Sequence, residues 1–222
     1  MLLDFLIALS MFYFFRKTGL YFVIIVNIIL CNLQVIKLIS LFGITATLGN
    51  ILYGSIFFAT DLLGEVYGKE EAKKGVILGF IALFYMTIVL QLTLWFQPAG
   101  DDFAHTHMTQ IFGFMPRIVL GSFLAYVVSQ SHDVWAFHFL KDRFQSRHLW
   151  LRNNVSTAIS QLIDSTIFTL VAFMGMFETR VLIEIFITTY LLKLVVGMID
   201  TPFVYLGRAI AHKHSEAYTH TA

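Results

Sequence analysis

Residues 150–173 read W-L-R-N-N-V-S-T-A-I-S-Q-L-I-D-S-T-I-F-T-L-V-A-F, from Trp150 to Phe173. The stretch enters from a basic loop and passes into an apolar phase of helical length. Polar groups travel with it: Asn153, Asn154, Ser156, Thr157, Ser160, Gln161 and Asp164. At helical spacing Ser156, Ser160 and Asp164 fall on one face, with Thr157 and Gln161 beside them. A polar stripe ending in an acid is costly against lipid, so it must face other helices or a cavity. An ionisable residue in that setting is a candidate functional site.

The surrounding chain makes this a membrane problem. Its 222 residues are 58% hydrophobic and only 13% charged, against about 25% charged in a soluble domain, and the mean hydropathy is +0.76. The expected fold is therefore an all-α integral membrane protein, with residues 1–222 forming one transmembrane domain. That length accommodates roughly seven helices of about 20 residues, leaving no room for a soluble catalytic domain. A net charge of +1 argues against nucleic-acid binding, so the lipid bilayer is the expected large partner. Cys31 is the single cysteine, which excludes an intrachain disulfide and a CxxC metal site. Met1 to Phe15 carries Asp4 and lacks a basic leader and a small-residue cleavage site, so it reads as a retained segment.

Seven apolar stretches follow one another, at 2–15, 19–42, 44–64, 75–96, 111–140, 155–177 and 181–207. They predict six core transmembrane helices plus a short N-terminal one. Basic residues gather in alternate linkers: Arg16 and Lys17, then Lys69, Lys73 and Lys74, then Lys141, Arg143, Arg147 and Arg152, then Arg208 and Lys213. The intervening linkers hold only Arg180, and Lys37, Arg117 and Lys193 lie inside apolar stretches. The positive-inside rule then places the N-terminus outside and the C-terminus in the cytoplasm.

Each stretch carries its own polar signature. The first, with Asp4 alone, is expected as a peripheral segment over 1–17. In the second, Asn27, Cys31 and Gln34 share a face, with Asn32 adjacent and Lys37 expected one turn beyond. In the third, Asp61 follows a fully apolar turn, and Glu65 is placed to pair with Lys69. The fourth reads as a packing or lipid-facing helix. The fifth aligns Tyr126, Gln130, Asp133 and Phe137 with His132 and His138 alongside, while Arg117 is expected to snorkel near the outer end. Asp164 falls near mid-membrane, and so does Lys193 in the last helix, on the face of Tyr190, Gly197 and Asp200. Unpaired central charges are expensive, so the two are expected to lie close or to share a ligand. Pro202 is expected to kink that helix, and residues 208–222 to form a polar cytoplasmic tail without fixed structure.

No GxxxxGK[ST], HExxH or GxSxG occurs, and no nucleophile–base pair can be assembled. Enzymatic chemistry, a metal and a cofactor are not expected; His105 and His107 have no third ligand near them in sequence. Amides, hydroxyls and carboxylates spread over several helices suit binding a neutral polar ligand and moving it.

Four segments carry a more specific signal: F-F-A-T-D-L-L-G-E-V-Y-G-K, R-I-V-L-G-S-F-L-A-Y-V-V-S-Q-S-H-D-V-W-A-F-H-F-L-K, L-W-L-R-N-N-V-S-T-A-I-S-Q-L-I-D-S-T-I-F and T-Y-L-L-K-L-V-V. In order and spacing over most of residues 50–200 they resemble the queuosine precursor transporter family, grouped with vitamin-uptake transporters. The resemblance implies import of a small-molecule deazaguanine for tRNA modification across the bacterial inner membrane: 7-cyano-7-deazaguanine, its aminomethyl relative or queuine. It also implies a bundle like the substrate-binding components of energy-coupling-factor transporters. A guanine-type edge offers adjacent N–H donors to a carboxylate, and amides read its carbonyl and nitrogens. The expected substrate-binding set is Asn32, Asp61, Tyr126, Gln130, Asp133, Ser156, Ser160, Gln161, Asp164 and Lys193. Asp164 or Asp133 would take the donor edge, Gln130, Asn32 and Gln161 would complete recognition, and Tyr126, Phe137 or Phe168 would stack. Lys193 would neutralise Asp164 in the empty state. A capture subunit needing separate ATPases, a homo-oligomer and a membrane scaffold remain open alternatives.

Overall fold

The structure is a computed structural model and describes residues 2–41, 43–143 and 149–219, with side chains undescribed for parts of 133–157, 197–201 and 213–219. The helices are α1 (Leu2–Gln34), α2 (Tyr53–Tyr67), α3 (Lys69–Trp95), α4 (His105–Phe112), α5 (Met115–Arg143), α6 (Leu149–Phe173) and α7 (Thr179–Thr219). A two-stranded hairpin, β1 (Leu38–Leu41) and β2 (Ile44–Thr47), and a 3₁₀ turn (Leu48–Leu52) stand between α1 and α2. Three apolar helical stretches reach membrane-crossing length end to end: Leu2–Gln34, which a break at Arg16 divides, Lys69–Trp95 and His105–His132. The last joins α4 to the first part of α5. The contacts divide the chain into two compact units. The first holds Met1–Lys37, Leu48–Thr93 and Val195–Ala222; the second holds Leu38–Thr47 and Leu94–Leu194.

In the first unit α1 is broken at Arg16, whose backbone turns to φ 54, ψ −132. The halves 2–15 and 17–34 fold back antiparallel, because the amide of Asn27 donates to the carboxylate of Asp4 at 3.2 Å. Near the bend, a side chain on Gly19 would collide with the carbonyl of Met11. The first segment, expected at the periphery, buries one face through Phe5, Ala8, Leu9 and Phe12. The Phe5 ring stacks on Phe203 at 4.5 Å, and Gly54 of α2 leaves it room. Glycines 75 and 79 let α3 close on Ile24 and Ile28 of α1. Charges collect at one end of this unit: Lys17 pairs with Glu71 at 3.0 Å, and Tyr21 hydrogen-bonds the same carboxylate. Glu65 pairs with Arg208 at 3.0 Å, not with Lys69. The long Arg208 side chain reaches Glu65 from α7, a partner that spacing along α2 does not suggest.

In the second unit the hairpin is the departure from an all-helical reading. Hydropathy runs on through 19–42, but α1 stops at Gln34 and Lys37 sits at the hairpin's base. Hydropathy does not distinguish a strand from a helix over so short a run. The β-branched Ile39, Ile44, Thr45 and Thr47 favour extended backbone, and Gly43 supplies φ +82 at the turn. Non-helical backbone at membrane depth needs protein partners. Thr45 has both: its N–H donates to Glu184 at 3.0 Å, and its carbonyl accepts from the Thr188 hydroxyl at 3.1 Å.

The closest helix packing in this unit is α5 on α6. An ideal Cβ on Gly121 would sit 3.3 Å from the Ala172 nitrogen, so the two backbones approach as small residues allow. Arg117 reaches the end of α6. Its Nε donates to the Val171 carbonyl at 2.7 Å and its Nη2 to the Met174 carbonyl, groups that the end of α6 leaves unpaired. Charged hydrogen bonds contribute about 1.5–3 kcal/mol each. An Arg117→Ala protein is therefore expected to lose about 2–4 kcal/mol, read as a lowered thermal midpoint in detergent. Lysine should recover only part of it, since one ammonium cannot reproduce the guanidinium fork. Finally, α7 contains Pro202 and runs on to Thr219, so most of the polar tail continues the helix.

Candidate functional site

Two antiparallel helices meet at Gly175, whose φ of +80 closes the turn after α6. Counting back along α6 and forward along α7 brings Asp164 and Lys193 to similar depth. Their side chains form a salt bridge. Lys193 is 4% exposed and Asp164 is half-buried. On the other side of Asp164, the Ser129 hydroxyl of α5 donates to its second oxygen at 3.4 Å. One turn further along, His132 Nδ1 lies 3.0 Å from the Ser160 hydroxyl. Three helices thus converge on one carboxylate.

The electrostatics follow from this geometry. A carboxylate in apolar surroundings is tolerated when a cation and hydrogen-bond donors face it. Lys193 and Ser129 supply both.

The rest of α6 is less well partnered. Gln161 Oε1, Ser165 Oγ and Thr169 Oγ1 are buried with no hydrogen-bond partner among the described residues. They recur at i, i+4 and i+8, so they form one row. Contacts with α5 run along α6 from Ser160 and Asp164 to Val171 and Ala172, and to Met174 just past its end. At about 100° per residue, the row lies about 60–140° round the helix from Asp164, and Ala172, seven residues beyond Ser165, shares that face against Gly121 of α5. Ser165 and Thr169 continue the i+4 spacing from Gln161 that the sequence already displays. Serine and threonine are common enough in apolar helices that nothing in the sequence separates them from ordinary packing residues.

The other expected residues are distributed as follows. Tyr126 is half-buried one turn from Gln130, and Gln130 is exposed. Phe168 is buried and packs edge-on against Phe173. Asp133, Ser156 and Phe137 lie outside the residues whose side chains are described. Asn32 and Asp61 belong to the first unit. Asn32 is buried and its amide donates to the Ile28 carbonyl at 2.8 Å, while Asp61 is exposed on α2. Among the described residues no group of three His, Cys, Asp or Glu could hold a metal ion.

Comparison with known proteins bears on what this arrangement serves. A family model described as "Putative vitamin uptake transporter" matches residues 47–207. A Bacillus subtilis (strain 168) protein named "Probable queuosine precursor transporter" is 48% identical over 208 residues, covering 93% of this chain and 91% of the relative. An Escherichia coli (strain K12) "Queuosine precursor transporter" is 28% identical over 167 residues, covering 72% of each. A Haemophilus influenzae protein named "Probable queuosine precursor transporter" is 29% identical over 198 residues, covering 87% of this chain and 82% of the relative. No solved structure matches the chain. The match spans the hairpin's last residue, α2 to α6 and α7 as far as Gly207, taking in both halves of the Asp164–Lys193 pair. This chain is a membrane transporter, not an enzyme, and it belongs to the vitamin uptake transporter family.

Proposed function

We propose that the protein imports queuosine precursors, 7-cyano-7-deazaguanine and its aminomethyl relative among them, across the bacterial cytoplasmic membrane for tRNA modification. The N-terminus lies outside and the C-terminus in the cytoplasm, as the alternation of basic linkers requires. The names of the three relatives support the substrate. The observation that carries the reading is the buried Asp164–Lys193 pair beside a row of unpartnered polar atoms.

In the empty protein Lys193 holds Asp164 neutral as a pair. The entering heterocycle presents adjacent N–H donors, which one carboxylate accepts in bidentate fashion. The substrate displaces the ammonium from Asp164, and Gln161 and Ser160 contribute from the same helix. Because the pair reforms when the substrate leaves, neither end state exposes an uncompensated charge. The aromatic wall is assigned to Tyr126, whose half-buried ring lies one turn from Ser129.

The test is genetic. Bacteria unable to make the precursor and lacking their own importer are given this chain and a low concentration of one deazaguanine. Queuosine in tRNA is read by boronate-gel mobility. Wild-type protein is expected to restore it without added ATPase subunits, and a well-accumulated Asp164→Asn protein is expected to lose at least about tenfold in rate, the effect of about 1.4 kcal/mol at the transition state. Undiminished rescue by Asp164→Asn would remove the carboxylate from the site.

A further inference from the structure

In the first unit, the ends of α2 and α7 that the basic linkers assign to the cytoplasm enclose a charged groove. The helices nearly touch beside it, since a Cβ on Gly207 of α7 would sit 2.7 Å from a Leu62 methyl of α2. Next to that contact they leave a cavity of about 230 Å³, lined by Glu65 from α2 and by Val204, Tyr205 and Arg208 from α7. Glu65 and Arg208 pair at 3.0 Å with each side chain 46% exposed, and Tyr205 is exposed. Asp61 lies one turn before Glu65 on the same face of α2 and is exposed as well. Two carboxylates on one helix face are costly against hydrocarbon, so the groove is wet. An exposed ion pair is also a weak bond, which a ligand parts far more cheaply than it would a buried one.

We propose that this groove is a second binding station for the imported base, the one from which it leaves for the cytoplasm. The proposal rests on the import reading above and adds a site to it. A guanine-type ring carries two N–H donors on one edge and a carbonyl acceptor next to them. The Glu65 carboxylate, acceptor-only, takes the two donors in bidentate fashion, and the Arg208 fork donates to the carbonyl. The two charged groups already stand side by side, as that edge demands. Tyr205 supplies an aromatic face for the ring and Val204 an apolar flank. A ring with an amino group in place of the carbonyl turns donors against the guanidinium and is refused. Because the pair is half exposed and reforms readily, the station holds its ligand loosely and lets it go.

Purified protein in detergent is titrated calorimetrically with 7-cyano-7-deazaguanine and with its 6-amino counterpart. Wild type is expected to bind two equivalents of the 6-oxo compound. The Asp164→Asn protein is expected to keep one of them, and adding Glu65→Gln or Tyr205→Leu to weaken that one about tenfold or more. The 6-amino compound is expected to bind the Asp164→Asn protein at least about tenfold more weakly than the 6-oxo compound. In the precursor-requiring host, Glu65→Gln alone is expected to lower the maximal import rate about threefold or more at matched protein levels, with KM unchanged. A single equivalent in wild type overturns the second station and leaves the import reading intact. So does residual binding that neither Glu65→Gln nor Tyr205→Leu weakens, or a maximal rate equal to wild type. Equal affinity of the Asp164→Asn protein for the two compounds overturns the assignment of Glu65 and Arg208 to the ring edge. A wild-type protein that neither binds nor imports the 6-oxo compound overturns both readings.

Discussion

A Lys193→Met protein is expected to be about 3–5 kcal/mol less stable than wild type, because the substitution leaves Asp164 buried and uncompensated. The Asp164→Leu protein is expected to suffer comparably, with the Lys193 ammonium stranded at 4% exposure. Combining Lys193→Met with Asp164→Leu should recover most of that loss, since apolar groups of similar volume often replace a buried ion pair at little cost. The double-mutant cycle thus yields a coupling of several kcal/mol in detergent unfolding. Import behaves differently. Under the proposed mechanism, in which Asp164 accepts the substrate and Lys193 balances it, all three proteins should fail to import, including the stable double variant. A double variant that imports normally would make the pair structural glue. Single variants as stable as wild type would mean that the pair is solvated.

Much of this site can be read from the sequence, and the reasons lie in individual residues. Two central charges in consecutive antiparallel helices have little choice but to meet, so Asp164 and Lys193 could be paired from spacing alone. The helix periods also give the polar face of α6. Other features depend on information that spacing does not carry. The hairpin at Leu38–Thr47 is as apolar as the helix before it, and only its β-branched residues and Gly43 betray it. Arg117 sits where a snorkelling arginine would sit. Its partners are backbone carbonyls of another helix, and these have no sequence signature. Ser165 and Thr169 read as ordinary small residues, and nothing in the sequence shows that their hydroxyls lack the local carbonyl bond that Thr166 donates to Leu162. Asn27 is visible as polar, but its partner Asp4 lies across a bend that no periodicity announces.

That last contact leads to the second large effect, an expected loss of the N-terminal segment's docking in an Asn27→Leu protein. The Asn27 amide donates to Asp4 at 3.2 Å and to the Ser55 hydroxyl at 2.9 Å, and Ser55 in turn bonds the other Asp4 oxygen. Three segments are joined in this way: the first half of α1, its second half and α2. Leucine at 27 removes both donors and leaves a half-buried carboxylate with one neutral hydroxyl. Breaking a hydrogen bond to a charged group costs about 1.5–3 kcal/mol, and the stranded acid adds its desolvation. The expected total is about 2–4 kcal/mol, with reduced accumulation in the membrane and a lower midpoint in detergent. Replacing all three polar groups, as Asp4→Leu, Asn27→Leu and Ser55→Ala together, should restore much of the stability, because no buried polar atom is then left without a partner. Import per molecule is expected to stay near wild type in this triple variant, since none of the three residues belongs to the α6–α7 site. A triple variant that accumulates fully yet fails to import would place Asp4 in the transport cycle itself. A normal Asn27→Leu midpoint would instead mean that apolar packing by Phe5, Leu9 and Phe12 holds the segment without the polar cluster.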